Sequence, residues 1–117
     1  MSTIRITVGV QVWGFHNWPG APERFVLLRY KHNHNFTIRV TLAVPDYNRG
    51  VAFEDLEQAL RVQLIQLYPI TSTGLYDFGS CSCELIALEL AQKRYLGHGP
   101  IQVAVWEDSL HGATVIA

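Results

Sequence analysis

Between Ile4 and Val12 the even positions carry Ile4, Ile6, Val8, Val10 and Val12, and the odd ones Arg5, Thr7, Gly9 and Gln11. Alternation with period two puts successive side chains on opposite faces of a strand, so residues 3–15 are predicted to form one. The even register continues through Gly14 to His16. A second alternating run covers 32–44. Its even positions are His32, His34, Phe36, Ile38, Val40, Leu42 and Val44, and its odd positions start with Asn33, Asn35 and Thr37. If the two strands pair antiparallel, the end of the first meets the start of the second. His16, His32 and His34 then converge on the apolar face, at one edge of the core.

Between these runs, Asn17–Pro22 reads as a loop from its Pro and Gly content. Arg24–Tyr30 is apolar enough either to continue a strand or to cover the histidines. Pro45–Gly50 is predicted to turn. From Ala52 the period changes: Phe53, Leu56, Leu60, Leu64 and Leu67 recur at three and four, the spacing of an amphipathic helix that Pro69 stops. Residues 69–80, rich in Thr, Ser and Gly, read as a loop. A second helix is expected from the N-cap Ser82 to about Tyr95, ended by Gly97 and Gly99-Pro100, with an apolar stripe wide enough for more than one neighbour. A third strand carries Ile101, Val103, Val105 and Glu107 on one face, and a fourth spans Ala113–Ile116. The order β-β-α-α-β-β predicts an α+β fold, an antiparallel sheet with two helices on one face.

At 117 residues the chain is the size of one domain, spanning 1–117. Apolar residues make up 49%, but charged residues only 16%, which suggests an oligomer that buries further surface. A net charge of −1 with no basic stripe argues against nucleic acid as a partner. No apolar run is long enough to span a bilayer, and the start of the chain lacks the shape of a secretory leader, so the expected location is the cytoplasm. Cys81 and Cys83 stand one residue apart, too close to staple distant segments. They read as small residues at a helix start, or as half of a soft-metal site.

Three imidazoles converging in register suit a metal with three protein ligands and one open position, the arrangement of catalytic zinc. The alternative is three unrelated histidines, each satisfied by a hydrogen bond. Glu107 closes an Ile-Val-Val face, where a carboxylate needs a partner. It could accept two parallel N–H donors from a ring such as the amino-pyrimidinone of a pterin or guanine, or simply face solvent.

The run Lys31-His32-Asn33-His34-Asn35-Phe36, with His16 upstream and Val105-Trp106-Glu107 near the end, resembles the 6-pyruvoyl-tetrahydropterin synthase and 6-carboxytetrahydropterin synthase family. The resemblance covers nearly the whole chain and implies the tunnelling fold, whose sheets join into a closed barrel, commonly as trimers stacked in pairs. It makes His16, His32 and His34 zinc ligands, with Asn33 where the family has glycine, and Glu107 the residue that grips a pterin. Ala52-Phe53-Glu54-Asp55-Leu56 and Cys81-Ser82-Cys83-Glu84 resemble the openings of the family's two helices.

The departures concern proton transfer. The position of the family's catalytic cysteine is Leu28, and its Asp-His pair falls on Tyr68 and Pro69. A leucine and a proline offer no side-chain proton. His111, close after Glu107, is a substitute catalytic candidate; His98 sits in the turn before the third strand, and Tyr30, Tyr68 and Asp77 are polar groups in segments that could border the pocket, with no spacing argument to select among them. The expectation is a zinc site with a pterin-like or purine-like small-molecule ligand in a homo-oligomer, a trimer or hexamer. It is either a lyase-like or synthase-like enzyme without the usual relay, or a catalytically silent ligand-binding or structural relative.

Overall fold

In the computed structural model, which describes residues 3–45 and 48–117, β1 (Ile4–His16) and β2 (His32–Val44) form a long antiparallel hairpin. Its register pairs Ile4 with Val44 at one end and His16 with His32 at the other. Val8, Val10, Val12, Phe36, Ile38, Val40 and Leu42 are buried on the even face, as the alternation requires. On the opposite face the hydroxyls of Thr7 and Thr41 hydrogen-bond at 2.7 Å, which satisfies the buried Thr41.

The helix α1 (Phe53–Leu67) buries Leu56, Leu60 and Leu64, and α2 (Cys83–Ala91) buries Cys83, Ile86, Ala87 and Leu90. Both pack on the even face of the sheet, α1 over β1 and α2 over the C-terminal strands, so the core is a single layer between sheet and helices. The Ser82 hydroxyl accepts the Leu85 N–H at 3.1 Å, the expected N-cap. The turn expected over Pro45–Gly50 includes 46 and 47, which lie outside the described residues.

Three elements differ from expectation. The segment read as a loop over 69–80 contains a short strand, β3 (Tyr76–Asp77), that pairs parallel with β1 at Gly14 and Phe15. Two residues carry no periodicity, and β3 exists because Tyr76 and Phe78 pack into the core. Gly14 makes the approach possible: a Cβ there would lie 2.6 Å from the Phe78 ring and 2.9 Å from the Tyr76 carbonyl oxygen. The sheet therefore has five strands in the order β3-β1-β2-β4-β5, with β4 (Gln102–Trp106) antiparallel to β2 and β5 (Gly112–Ile116) antiparallel to β4.

Second, Glu23–Arg29 is a 3₁₀ helix kinked at Phe25, neither a strand nor a continuation of one. Arg29 ties it down, its Nε donating to the Ala21 carbonyl at 2.8 Å while its own carbonyl accepts from Asn17 Nδ2 at 3.0 Å. Third, α2 stops at Ala91, short of Tyr95. Leu96 and Gly97 take positive φ, closing a turn in which Tyr95 and His98 exchange backbone hydrogen bonds. The buried Tyr95 hydroxyl donates to the Leu90 carbonyl at 2.7 Å and anchors that turn against the helix end. No helix among the described residues is long and apolar enough to cross a membrane.

Candidate metal centre and adjoining cavity

The antiparallel register brings the strand-end histidines together, as their alternation implied. One ring nitrogen from each of His16, His32 and His34 lies within 4.8 Å of the others. The rings meet edge to face, with centroids 4.6 Å apart for His16–His32 and 5.3 Å for His16–His34. Phe36 forms the apolar floor, in edge contact with His16 and His34. His16 is buried and the other two are half-buried.

Two of the rings are oriented by backbone. His16 Nδ1 is 2.9 Å from the Cys81 carbonyl oxygen, and His32 Nδ1 is 2.9 Å from that of Tyr30. A carbonyl only accepts, so both Nδ1 atoms carry a proton, and in the neutral imidazole both Nε2 atoms present lone pairs. This is how metal-ligating histidines are commonly held. The His34 pKa is lowered, first by burial and further by the neighbouring imidazoles, with Glu107 opposing.

Glu107 follows the last residue of β4. Its backbone N–H donates to the His111 carbonyl at 3.0 Å, and the Asp108 carboxylate fastens the loop by accepting the N–H groups of Leu110 and His111. Glu107 Oε2 thus sits 3.1 Å from His16 Nε2 and 3.5 Å from His34 Nε2. The angles at His16 are not those of a hydrogen bond, which leaves this buried Nε2 without a hydrogen-bond partner.

A cavity of about 760 Å³ opens beside the three histidines, within the range of small-molecule sites. Trp18, Leu28, Cys81, Cys83, Glu107 and His111 contribute to its wall. Leu28 is held there by the Trp18 backbone N–H, which donates to the Leu28 carbonyl at 2.7 Å and ties the end of the 3₁₀ segment to the loop after β1. His111 stands at the rim with its ring held by Asp108 at 2.9 Å, which raises its pKa. His98 belongs to the turn after α2, and Asp77 accepts the Gly79 N–H at 2.9 Å. Neither borders the cavity.

A polar cluster beside the cavity had no signal in the sequence. Glu89 Oε1 accepts from the Tyr68 hydroxyl at 3.2 Å and from the Cys81 thiol at 3.5 Å. Burial and then the Glu89 charge push the Cys81 thiol up to about 11, and burial followed by Glu107 pushes Cys83 up to about 12. Both cysteines are free and protonated at neutral pH. Tyr68 faces Glu89 and Phe78 inside the core, and Pro69 is exposed with its carbonyl accepting from Asp77.

Five strands with two helices over one face are the architecture of the tunnelling fold. The chain superposes on Caenorhabditis elegans 6-pyruvoyl tetrahydropterin synthase with a TM-score of 0.70 at 12% identity, over 100% of this chain and 97% of that one. An uncharacterized protein from Wolinella succinogenes gives 0.67 at 13% identity, with 99% of each chain covered. A Plasmodium vivax 6-pyruvoyltetrahydropterin synthase, in a variant with a catalytic residue changed to alanine, gives 0.62 at 15% identity over 98% of each. No protein-family model matches this sequence, and no curated protein matches it. The chain has the fold of 6-pyruvoyl tetrahydropterin synthase.

Proposed function

We propose that this protein binds zinc through His16, His32 and His34, and that the adjoining cavity takes a pterin or related purine-like ligand. The observation that carries the reading is the pair of Nδ1–H donations to the Cys81 and Tyr30 carbonyls, which turns two Nε2 lone pairs into one site. Unliganded, such a cluster is costly beside an apolar floor. Zinc, when bound, polarises a carbonyl or lowers the pKa of water. Glu107 offers the cavity a carboxylate able to accept paired N–H donors of a ring.

The chain's own proton-transfer groups favour ligand binding over the usual synthase chemistry. Leu28 in the cavity wall has no proton to transfer, and the Tyr68 hydroxyl is directed to Glu89. His111 is the imidazole in the cavity wall outside the metal set, and it is the catalytic residue of this proposal if turnover occurs. The cytoplasmic location and a homo-oligomer, trimer or hexamer, belong to the same reading; exposed Leu85, Leu88, Leu110 and Ile116 support the oligomer.

The experiment is metal analysis by mass spectrometry on protein purified without chelator, followed by a thermal-shift screen with pterins and guanine derivatives. Stoichiometric zinc and a ligand-dependent rise in Tm are expected. Protein without bound metal overturns the reading. Turnover of dihydroneopterin triphosphate would overturn the claim that the usual relay is missing.

A further inference from the structure

We infer that Glu107 is itself a ligand of the metal, so that the site is a closed set of three imidazoles and one carboxylate. This deepens the metal reading above and rests on it.

The close contact between Glu107 and His16 is not a hydrogen bond. The His16 proton is committed to Cys81. Its Nε2 lone pair therefore faces Glu107 Oε2, a second acceptor, at 3.1 Å, and the same oxygen stands 3.5 Å from His34 Nε2. The carboxylate oxygen and the His16 lone pair, crowded this closely in a partly dry site, repel each other unless a cation lies between them. A proton shared by His16 and Glu107 would relieve that pair alone. A divalent cation relieves the carboxylate and the imidazoles together.

The two Glu107 contacts fit that cation, while the three ring nitrogens, within 4.8 Å of one another, form the wider part of the set. Zinc holds nitrogen and oxygen ligands at about 2.0–2.2 Å, which places the corners of a tetrahedral site roughly 3.3–3.6 Å from one another. The two Glu107 contacts, 3.1 and 3.5 Å, bracket the lower edge of that range. The loop after β4 maintains the position, through the Glu107 N–H bond to the His111 carbonyl and the Asp108 carboxylate that folds the loop.

Two consequences follow. An anionic oxygen beside three nitrogens widens the range of metals to cobalt, iron and manganese as well as zinc. The metal also has no open position while Glu107 is bound to it. A cavity ligand whose N–H donors drew the Glu107 carboxylate away would open one, coupling ligand capture to the metal through this one residue.

The test uses the full chain loaded with cobalt(II), whose visible spectrum reports coordination, and sodium azide as the probe of an open position. Wild-type protein is expected to bind cobalt with a spectrum insensitive to azide. Glu107→Ala is expected to bind cobalt at least about tenfold more weakly, with a spectrum that azide shifts. Glu107→Gln, which preserves shape, serves as the second variant if the alanine protein does not fold, and is expected to show the same azide response. Equal affinity in wild type and variant, or an equal azide shift in both, overturns the inference and leaves the three-histidine site standing. Failure of wild-type protein to take up any metal overturns the inference together with the reading beneath it.

Discussion

His16 and Cys81 are joined through a ring and a peptide: His16 Nδ1 lies 2.9 Å from the Cys81 carbonyl oxygen. The bond spans the end of β1 and the entry to α2. It selects the tautomer that leaves Nε2 available, and so makes the metal site depend on how the second helix begins. The helix start is in turn fixed by the Ser82 hydroxyl on the Leu85 N–H.

Ser82→Ala removes that cap and is expected to cost about 1 kcal/mol of stability. Because residue 82 adjoins the carbonyl that orients His16, metal affinity should fall as well. Urea unfolding and zinc titration on one preparation check both; unchanged zinc affinity in the variant would separate the helix start from the metal site.

His32→Ala is expected to abolish stoichiometric zinc while sparing the fold. His32 is half-buried at a strand end and rests on the local Tyr30 carbonyl, so little core packing is lost. Mass-spectrometric metal content together with a circular dichroism spectrum tests this. Zinc retained at the wild-type ratio would remove His32 from the ligand set.

The two thiols set an alkaline limit. Cys81 and Cys83 rise from 9.0 to about 11 and about 12 through burial and the carboxylates Glu89 and Glu107. Between pH 9 and 11–12 the folded chain therefore binds more protons than the unfolded one, so stability falls as pH rises through that window. Below pH 9 both states carry protonated thiols and these groups add no slope. Denaturation midpoints measured from pH 8 to 11 should decline, and the decline should flatten in the Cys81→Ala, Cys83→Ala double variant.

Gly14→Ala is expected to destabilise by about 1–3 kcal/mol, since overpacking must displace either the Phe78 ring or the β3 backbone. Chemical denaturation gives the magnitude. A neutral effect would mean that β3 moves away from β1 without penalty.

Tyr68→Phe removes one donor from Glu89 Oε1 and leaves Cys81 as its partner. A loss of about 1 kcal/mol is expected. Accelerated alkylation of Cys81 in the variant would show that the tyrosine restrains the same cluster that holds the thiol.

The amino-acid order determined whatever repeats locally. Alternation in 4–16 and 32–44 specified two strands, their buried faces and, through antiparallel pairing, the meeting of His16, His32 and His34. The spacing of Phe53, Leu56, Leu60 and Leu64 specified α1, and Ser82 the start of α2. Leu28 and Pro69 already lacked a side-chain proton wherever the fold put them. The tertiary structure decided what depends on contacts between distant residues. It added β3, which two residues could not announce and which exists because Gly14 admits Phe78. It ended α2 at a turn held by Tyr95, coiled residues 23–29 so that Leu28 joins the cavity wall, and gathered Tyr68, Cys81 and Glu89 into one cluster. It also turned Glu107 onto His16 and His34 and assigned the histidine protons to the carbonyls of Cys81 and Tyr30. Periodicity reports which side of an element is apolar, a property of neighbours along the chain; which atom of a ring or carboxylate meets which partner is set only when separate elements pack.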